Sequence, residues 1–413
     1  MQTARLLQLR DMYRRALLED VIPFWLRHSL DREYGGYLTC LDREGAVYNT
    51  DKQMWMQARE VWLFSTLYHR VEGVESDVRE AWLDAARLGY HFLDEHGYAP
   101  DGRMYFLVTR DGRPLRRRRY LFTETFGVIA GAAYAAASGE EGALARAVET
   151  YELLVRLSRI SGALAPKVNP QTRATRALAM PMILLATTQE LRQAAPGPLC
   201  DRVAAEAVEE ITGLFLKREE RALHEVVGPQ GQRLDSPEGR LVNPGHAIES
   251  AWFLLHEAMA RENAGEDAGA IQEAALDILR WSLDWGWDRE HGGLLYFVDI
   301  ENKPPEQLEW DMKLWWPHTE ALYATLLAYH LTGEAEFAAW FERLHAYAWS
   351  HFADPEHGEW FGYLHRDGSV ALPVKGSLWK GAFHLPRALW LCWSLLERMV
   401  AGSPPPEGGS VTT

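Results

Sequence analysis

Cysteine is scarce in this chain: 413 residues contain three, Cys40, Cys200 and Cys392, an odd number at no metal-ligand spacing. Such usage argues against a disulfide framework and favours a reducing, cytoplasmic setting. Positive charge is also short, with 43 Lys and Arg against 58 Asp and Glu and a net charge of −15. Nucleic acid and anionic membrane surfaces are therefore not expected as partners. No uninterrupted apolar segment approaches the roughly 18 residues of a membrane span. The N-terminal MQTARLLQLRDMYRR lacks the apolar core of a signal peptide. His-Glu-x-x-His, a glycine-rich dinucleotide fingerprint and a P-loop are all missing, so the expectation is acid–base chemistry by side chains, with no metal.

What is present is repetition. Turn glycines at Gly35-Gly36, Gly102, Gly162, Gly231, Gly292-Gly293 and Gly358 recur at spacings of 60 to 69 residues. That period suits a helical hairpin with a generous loop. Three loops share wording (DREYGGYLTCLDREG, DREHGGLLYFVDIEN and DPEHGEWFGYLHRDG), each a turn followed by alternating residues, which predicts short β-hairpin insertions. Helical periodicity predicts amphipathic segments at 4–29, 77–96, 141–159, 198–217, 266–285 and 334–352. They alternate with more apolar ones at 52–70, 121–138, 177–194, 245–262, 317–332 and 382–400. Helices apolar on every side are buried. The expected fold is all-α: an (α/α)6 barrel of six helical hairpins, a single domain over 1–402, with a Pro/Gly-rich tail at 403–413 expected to be disordered.

Polar and aromatic residues gather where the inner helices begin. In Asn-Pro-Gly-His-Ala-Ile-Glu-Ser-Ala-Trp (243–252), Asn243 is a good N-cap and Pro244 suits the first helical position. His246, Glu249 and Trp252 then share one helical face. The positive helix end should keep His246 mostly neutral. Residues 379–390 echo the arrangement, with His384 followed by Arg387 and Trp390. Two histidines in equivalent places suggest two bases facing one pocket. Arg59 is balanced between substrate binding and a salt bridge with Glu60 or Glu124. His318 reads as structural, and most of Trp55, Trp62, Trp252, Trp315, Trp316 and Trp379 read as core. Indoles with converging charges are what a sugar pocket needs. A glycoside hydrolase would instead need two carboxylates, for which Glu124, Glu249 and Glu320 are available, but it leaves the histidine pair unexplained.

PGHAIESAWFLL, QLEWDMKLWWPHTEA, DPEHGEWFGYL and KGAFHLPR together resemble the N-acylglucosamine 2-epimerase family, called renin-binding protein in animals. The resemblance runs over nearly the whole chain and implies an (α/α)6 barrel that interconverts N-acetyl-D-glucosamine and N-acetyl-D-mannosamine. It implies catalytic roles for His246 and His384, and substrate binding by Arg59, Glu249 and Glu320, with Trp316 and Lys380 lining the site. It further implies ATP as an activator that is not consumed, and relatives of this kind are often homodimers. Lys167, Asn169, Arg173 and the Arg116–Arg119 run are weak candidates for the nucleotide. Cellobiose 2-epimerases, mannose-type isomerases and a non-catalytic binding role are the alternatives on the same barrel.

Overall fold

The computed structural model describes residues 1–402 except 119, 161, 166 and 167; the 403–413 tail, Arg119 and Lys167 lie outside the described residues. The first helix, α1 (Thr3–Arg15), passes through a π-helical turn into α2 (Ile22–His28). Then follow α3 (Met54–Arg70), α4 (Ser76–His96), α5 (Phe122–Ser138), α6 (Glu141–Arg159), α7 (Ala179–Ala194) and α8 (Pro198–Glu210). The series ends with α9 (Pro244–Asn263), α10 (Gly269–Gly286), α11 (Trp315–Thr332), α12 (Ala335–His351) and α13 (His384–Ala401).

Helices α3, α5, α7, α9, α11 and α13 pack in sequence as an inner ring. The ring closes where Trp62 of α3 meets Phe383 and Trp390 at the start and middle of α13, with ring centroids 5.3 and 6.5 Å apart. The apolar sequence of this set explains its place: residues 315–328 of α11 are buried without a break. The amphipathic helices form the outer ring, and α1 packs on α13 to complete it. This is the (α/α)6 barrel expected from the periodicity. For α3, α5, α7, α9 and α11 the close antiparallel partner is the outer helix that follows, because those connections are short, while α13 takes α1 from the start of the chain. The long loops, from outer helix to next inner helix, all open at one end.

Those loops are stitched together by short antiparallel ladders. Residues just before an inner helix pair with the hairpin of the next repeat: Lys52–Gln53 with Leu107–Val108, Leu241–Val242 with Val298–Asp299, and Lys313–Leu314 with Tyr363–Leu364. The shared loop wording now has a physical meaning. Asp31 accepts hydrogen bonds from Lys52 (2.9 Å) and from Arg110 of the next repeat (2.8 Å). Asp288 is held likewise by Lys313 and Arg366, and Asp354 by Lys375 and Arg43. Arg43 lies in the first repeat and Asp354 in the last, so this third cluster ties the ends of the ring. Burial pushes the Asp31 carboxyl upward, but Arg110 and Lys52 outweigh it and bring it to about 2. Such clusters hold the loop end of the barrel rigid, as a site built on loops requires.

Candidate active site

A cavity of about 820 Å³ opens at the loop end and runs down the axis, lined from Trp55 in the first turn of α3 to Arg70 in its last. All six of the tryptophans singled out above reach its wall, and Trp390 joins them deeper. Most are core as expected, with Trp62, Trp252, Trp315 and Trp316 buried, and these core side chains also border the cavity; Trp379 stays about half exposed at its mouth, at 49%.

The sequence of α9 fixes His246. The Asn243 side chain accepts from the His246 backbone N–H at 3.1 Å, and Pro244 fills the first helical position, as the capping rule requires. The His246 ring lies 5.2 Å from that of Trp316, and His384 lies 5.8 Å from the same indole. The indole approaches this closely because residue 245 is glycine; a Cβ there would meet Trp316 at 2.5 Å. The two histidines, 138 residues apart in sequence, therefore sit on the same indole within one cavity.

Each histidine has its Nδ1 tied to a carboxylate. His384 Nδ1 donates to Glu320 at 2.8 Å, and His246 Nδ1 donates to Glu225 at 3.0 Å. A histidine whose Nδ1–H is spent in this way keeps its lone pair on Nε2 when neutral. The charge around the two rings differs. Arg387 donates through one Nη2 to both Glu320 (2.7 Å) and Glu249 (3.0 Å), and Trp252 Nε1 donates to the second oxygen of Glu320. Burial holds the His384 imidazole down to about 4, against the pull of Glu320 and with Arg59 and Arg387 adding to the fall. Burial would also lower His246, but Glu225 outweighs it and leaves that imidazole above its ordinary value. This corrects the expectation from the helix end: a direct carboxylate contact outranks the partial charge of the helix terminus.

Glu249 and Glu320 lie close enough to affect each other. Burial and the Glu320 charge push Glu249 up, whereas Arg387 and His384 carry Glu320 below the usual carboxylate range despite its burial. Oxygens of these two carboxylates and a nitrogen of His384 lie within 4.8 Å of one another, a spacing that could hold a cation. The Arg387 guanidinium already bonds both carboxylates and supplies the positive charge there.

Arg59 also faces the cavity, and among the described residues it has no carboxylate partner within salt-bridge distance. Its Nε–H is unmatched, and its guanidinium lies over Phe126 (4.1 Å), Phe383 (4.8 Å) and Trp55 (5.0 Å). Burial lowers it to about 9. Neither salt bridge weighed from the sequence forms: Glu60 accepts from Ser29 and the Ala382 N–H, and Glu124 is spent on Arg103 and the Met104 N–H. Glu124 also lies outside the cavity lining, which removes it from a two-carboxylate arrangement there. His318 is structural as expected, bonded to the Leu314 carbonyl and the Leu294 N–H.

Lys380 departs from its expected place. Its ammonium is buried behind the wall, bonded to Glu359 and to the Lys375 carbonyl at 2.7 Å each, so it braces the loop before His384 and does not line the cavity. Glu225 and Arg387 were not among the expected site residues. The only sequence signal for Arg387 is its place three residues after His384, matching Glu249 after His246. Glu225 had none. Among the nucleotide candidates, Arg117 pairs with Asp101, Arg173 pairs with Glu238, and Arg118 stacks on Phe106 and lines the cavity.

Comparison with known proteins gives the family and the fold. Residues 36–386 match the N-acylglucosamine 2-epimerase (GlcNAc 2-epimerase) family. The chain is 38% identical to the N-acylglucosamine 2-epimerase of Bos taurus over 402 residues, covering 93% of this chain and 90% of that one. It is 37% identical to the Homo sapiens enzyme of the same name, covering 94% and 90%. Among solved structures, the cellobiose 2-epimerase of Spirochaeta thermophila superposes with a TM-score of 0.81 at 23% identity, over 96% of this chain and 98% of that one. This last likeness speaks for the barrel alone.

Proposed function

The chain belongs to the N-acylglucosamine 2-epimerase family of carbohydrate epimerases, and on that premise we propose that it interconverts N-acetyl-D-glucosamine and N-acetyl-D-mannosamine by inverting C2. The observation that carries this reading is the pair of histidines on one indole, each with its own carboxylate, beside a buried arginine that has no carboxylate partner among the described residues. The C2 proton becomes removable only in the open-chain sugar, where C1 is an aldehyde and the resulting anion is an enolate. One histidine takes that proton from one face of C2 and the other returns a proton to the opposite face. Positioned proton transfer of this kind contributes about 10²–10⁴-fold. Arg59 faces the cavity with donors to spare, and in this scheme it receives the negative charge that develops on O1. Glu249, Glu320 and Arg387 hold His384 and offer partners for sugar hydroxyls, while Trp316 offers a flat apolar face.

Proton NMR in D2O tests the proposal, with N-acetylmannosamine, mannose and cellobiose supplied in parallel, with and without ATP. Deuterium at C2 together with N-acetylglucosamine is the expected result, and a faster rate with ATP would bear out activation without consumption. Mannose converted to fructose, or cellobiose converted to its epimer, would overturn the substrate assignment and keep the histidine pair. The same reading includes a homodimer in the cytoplasm; light scattering on the purified chain checks the assembly. No described helix is long and apolar enough to cross a membrane.

A further inference from the structure

We propose that Glu225 is the positioning residue that keeps His246 as the proton-carrying partner at rest, so that His246 is the resting acid and His384 the resting base. The inference rests on the epimerase reading and deepens it. Both carboxylate oxygens of Glu225 face His246 Nδ1, at 3.0 and 3.1 Å. The backbone of Glu225 is clamped on two sides: its N–H donates to the Leu241 carbonyl, and its carbonyl accepts from the Leu178 N–H. Those partners are the residues leading into α9 and α7, so the carboxylate is fixed relative to the helix that carries His246. The Asn243 cap fixes the backbone of His246 from the other side.

The two histidine–carboxylate pairs are alike in form and unlike in charge. Glu320 divides its charge among His384, Arg387 and the Trp252 N–H, and Arg59 adds a second cation near His384. Glu225 makes its side-chain hydrogen bonds to His246. Of the other charged or titratable groups, Glu249 favours protonation of His246, Tyr296, Tyr363, Glu309 and Arg59 line the same cavity, and His384 lies across Trp316. Environments that drive two like groups apart are how one site obtains an acid and a base at a single pH.

The protons balance as follows. Neutral His384 removes the C2 proton and becomes imidazolium, leaving an enolate. Protonated His246 then delivers its proton to the opposite face of C2 and becomes neutral. His384 next loses a proton to water and His246 gains one, restoring the resting state.

The test compares wild type with Glu225→Gln and Glu225→Ala, using pH profiles of kcat and kcat/KM and NMR titration of 15N-histidine-labelled protein. Glutamine keeps an acceptor for Nδ1–H but removes the charge. It should lower the His246 midpoint by about one pH unit or more and move the alkaline limb of kcat/KM to lower pH by the same amount. Alanine should reduce kcat by about 10–100-fold with a smaller change in KM. An unchanged His246 midpoint in Glu225→Gln would overturn the proposal. So would a loss of kcat equal at every pH, which is the mark of a merely structural role. If wild type turns over no N-acylhexosamine, the epimerase reading fails; the titration still decides whether Glu225 sets the charge of His246.

Discussion

Replacing Arg59 by methionine should remove most activity while stabilising the fold. The guanidinium is buried in an aromatic cage with no carboxylate partner among the described residues, and its pKa has moved well down from its ordinary value to about 9. A fall of that size corresponds to about 5 kcal/mol of solvation given up to keep the group charged. Three aromatic faces lie within 5.0 Å and return on the order of 1 kcal/mol each. The net cost at neutral pH is therefore about 2 kcal/mol, and methionine, a long unbranched side chain, should recover most of it. The sign follows from linkage. A base whose folded pKa is depressed carries its penalty below the folded value and loses it as pH rises through about 9. The stability gap between Arg59→Met and wild type should accordingly be widest at pH 7 and shrink above pH 9. Losing a donor to developing oxyanion charge should cost about 10²–10³-fold in kcat. Urea titration at the two pH values and steady-state epimerisation give both numbers. If Arg59→Met is less stable by more than about 1 kcal/mol, the arginine is a structural cation and the reasoning fails. Activity within tenfold of wild type would equally refute its role at O1.

His246→Asn and His384→Asn should each abolish epimerisation while circular dichroism stays that of wild type; an active single variant would sink the two-base scheme. The acid limb of kcat/KM should fall near the value of about 4 to which His384 is held, because this base works only when deprotonated. A limb near pH 6.5 would instead mean that His384 is not the group being titrated. Gly245→Ala forces Trp316 away from a 2.5 Å contact and should reduce kcat/KM more than stability, as read by turnover and thermal melting together. Asp354→Asn leaves Lys375 buried without its carboxylate and unties the first repeat from the last, at a cost of about 3–5 kcal/mol in urea denaturation. Asp31, held at about 2, contributes stability above its ordinary value near 3.8 that should be lost as pH falls toward 2.

Much of the architecture was legible because the barrel is written in local rules. The segment expected at 141–159 is α6 to the residue, and the one at 245–262 differs from α9 by one residue at each end. Periodicity and caps act within a few residues, so they survive in sequence alone. Which helices pair closely was less legible, since loop length decides it. The site divided in the same way. His246, Glu249 and the turn that aims them lie within one helical start, and the echo at His384 exposed the second base. The ionisation of His246 was misjudged because its decisive partner is 21 residues upstream, on a strand edge with no periodicity to mark it. Lys380 was misjudged for the converse reason. Its neighbours in sequence are site residues, but its ammonium points the other way, to a glutamate in the preceding hairpin.

That contrast shows how the repeats divide the work. Three repeats keep the Asp-Lys-Arg wording and use it to lock one loop to the next, with Arg43 and Asp354 closing the circle. Once the loop end is locked, the inner-helix starts are free to diverge, and two of them do so in parallel. Each places a histidine in its first turn and a charged residue three positions on, Glu249 from α9 and Arg387 from α13. The opposite signs let these two residues bond across the cavity at 3.0 Å. A single sign at both positions would have left two like charges buried together, at a cost the fold would have to meet elsewhere. The asymmetry that makes one histidine an acid and the other a base thus begins with the difference between a glutamate and an arginine at equivalent helix positions. Glu225 completes it from outside the repeat pattern.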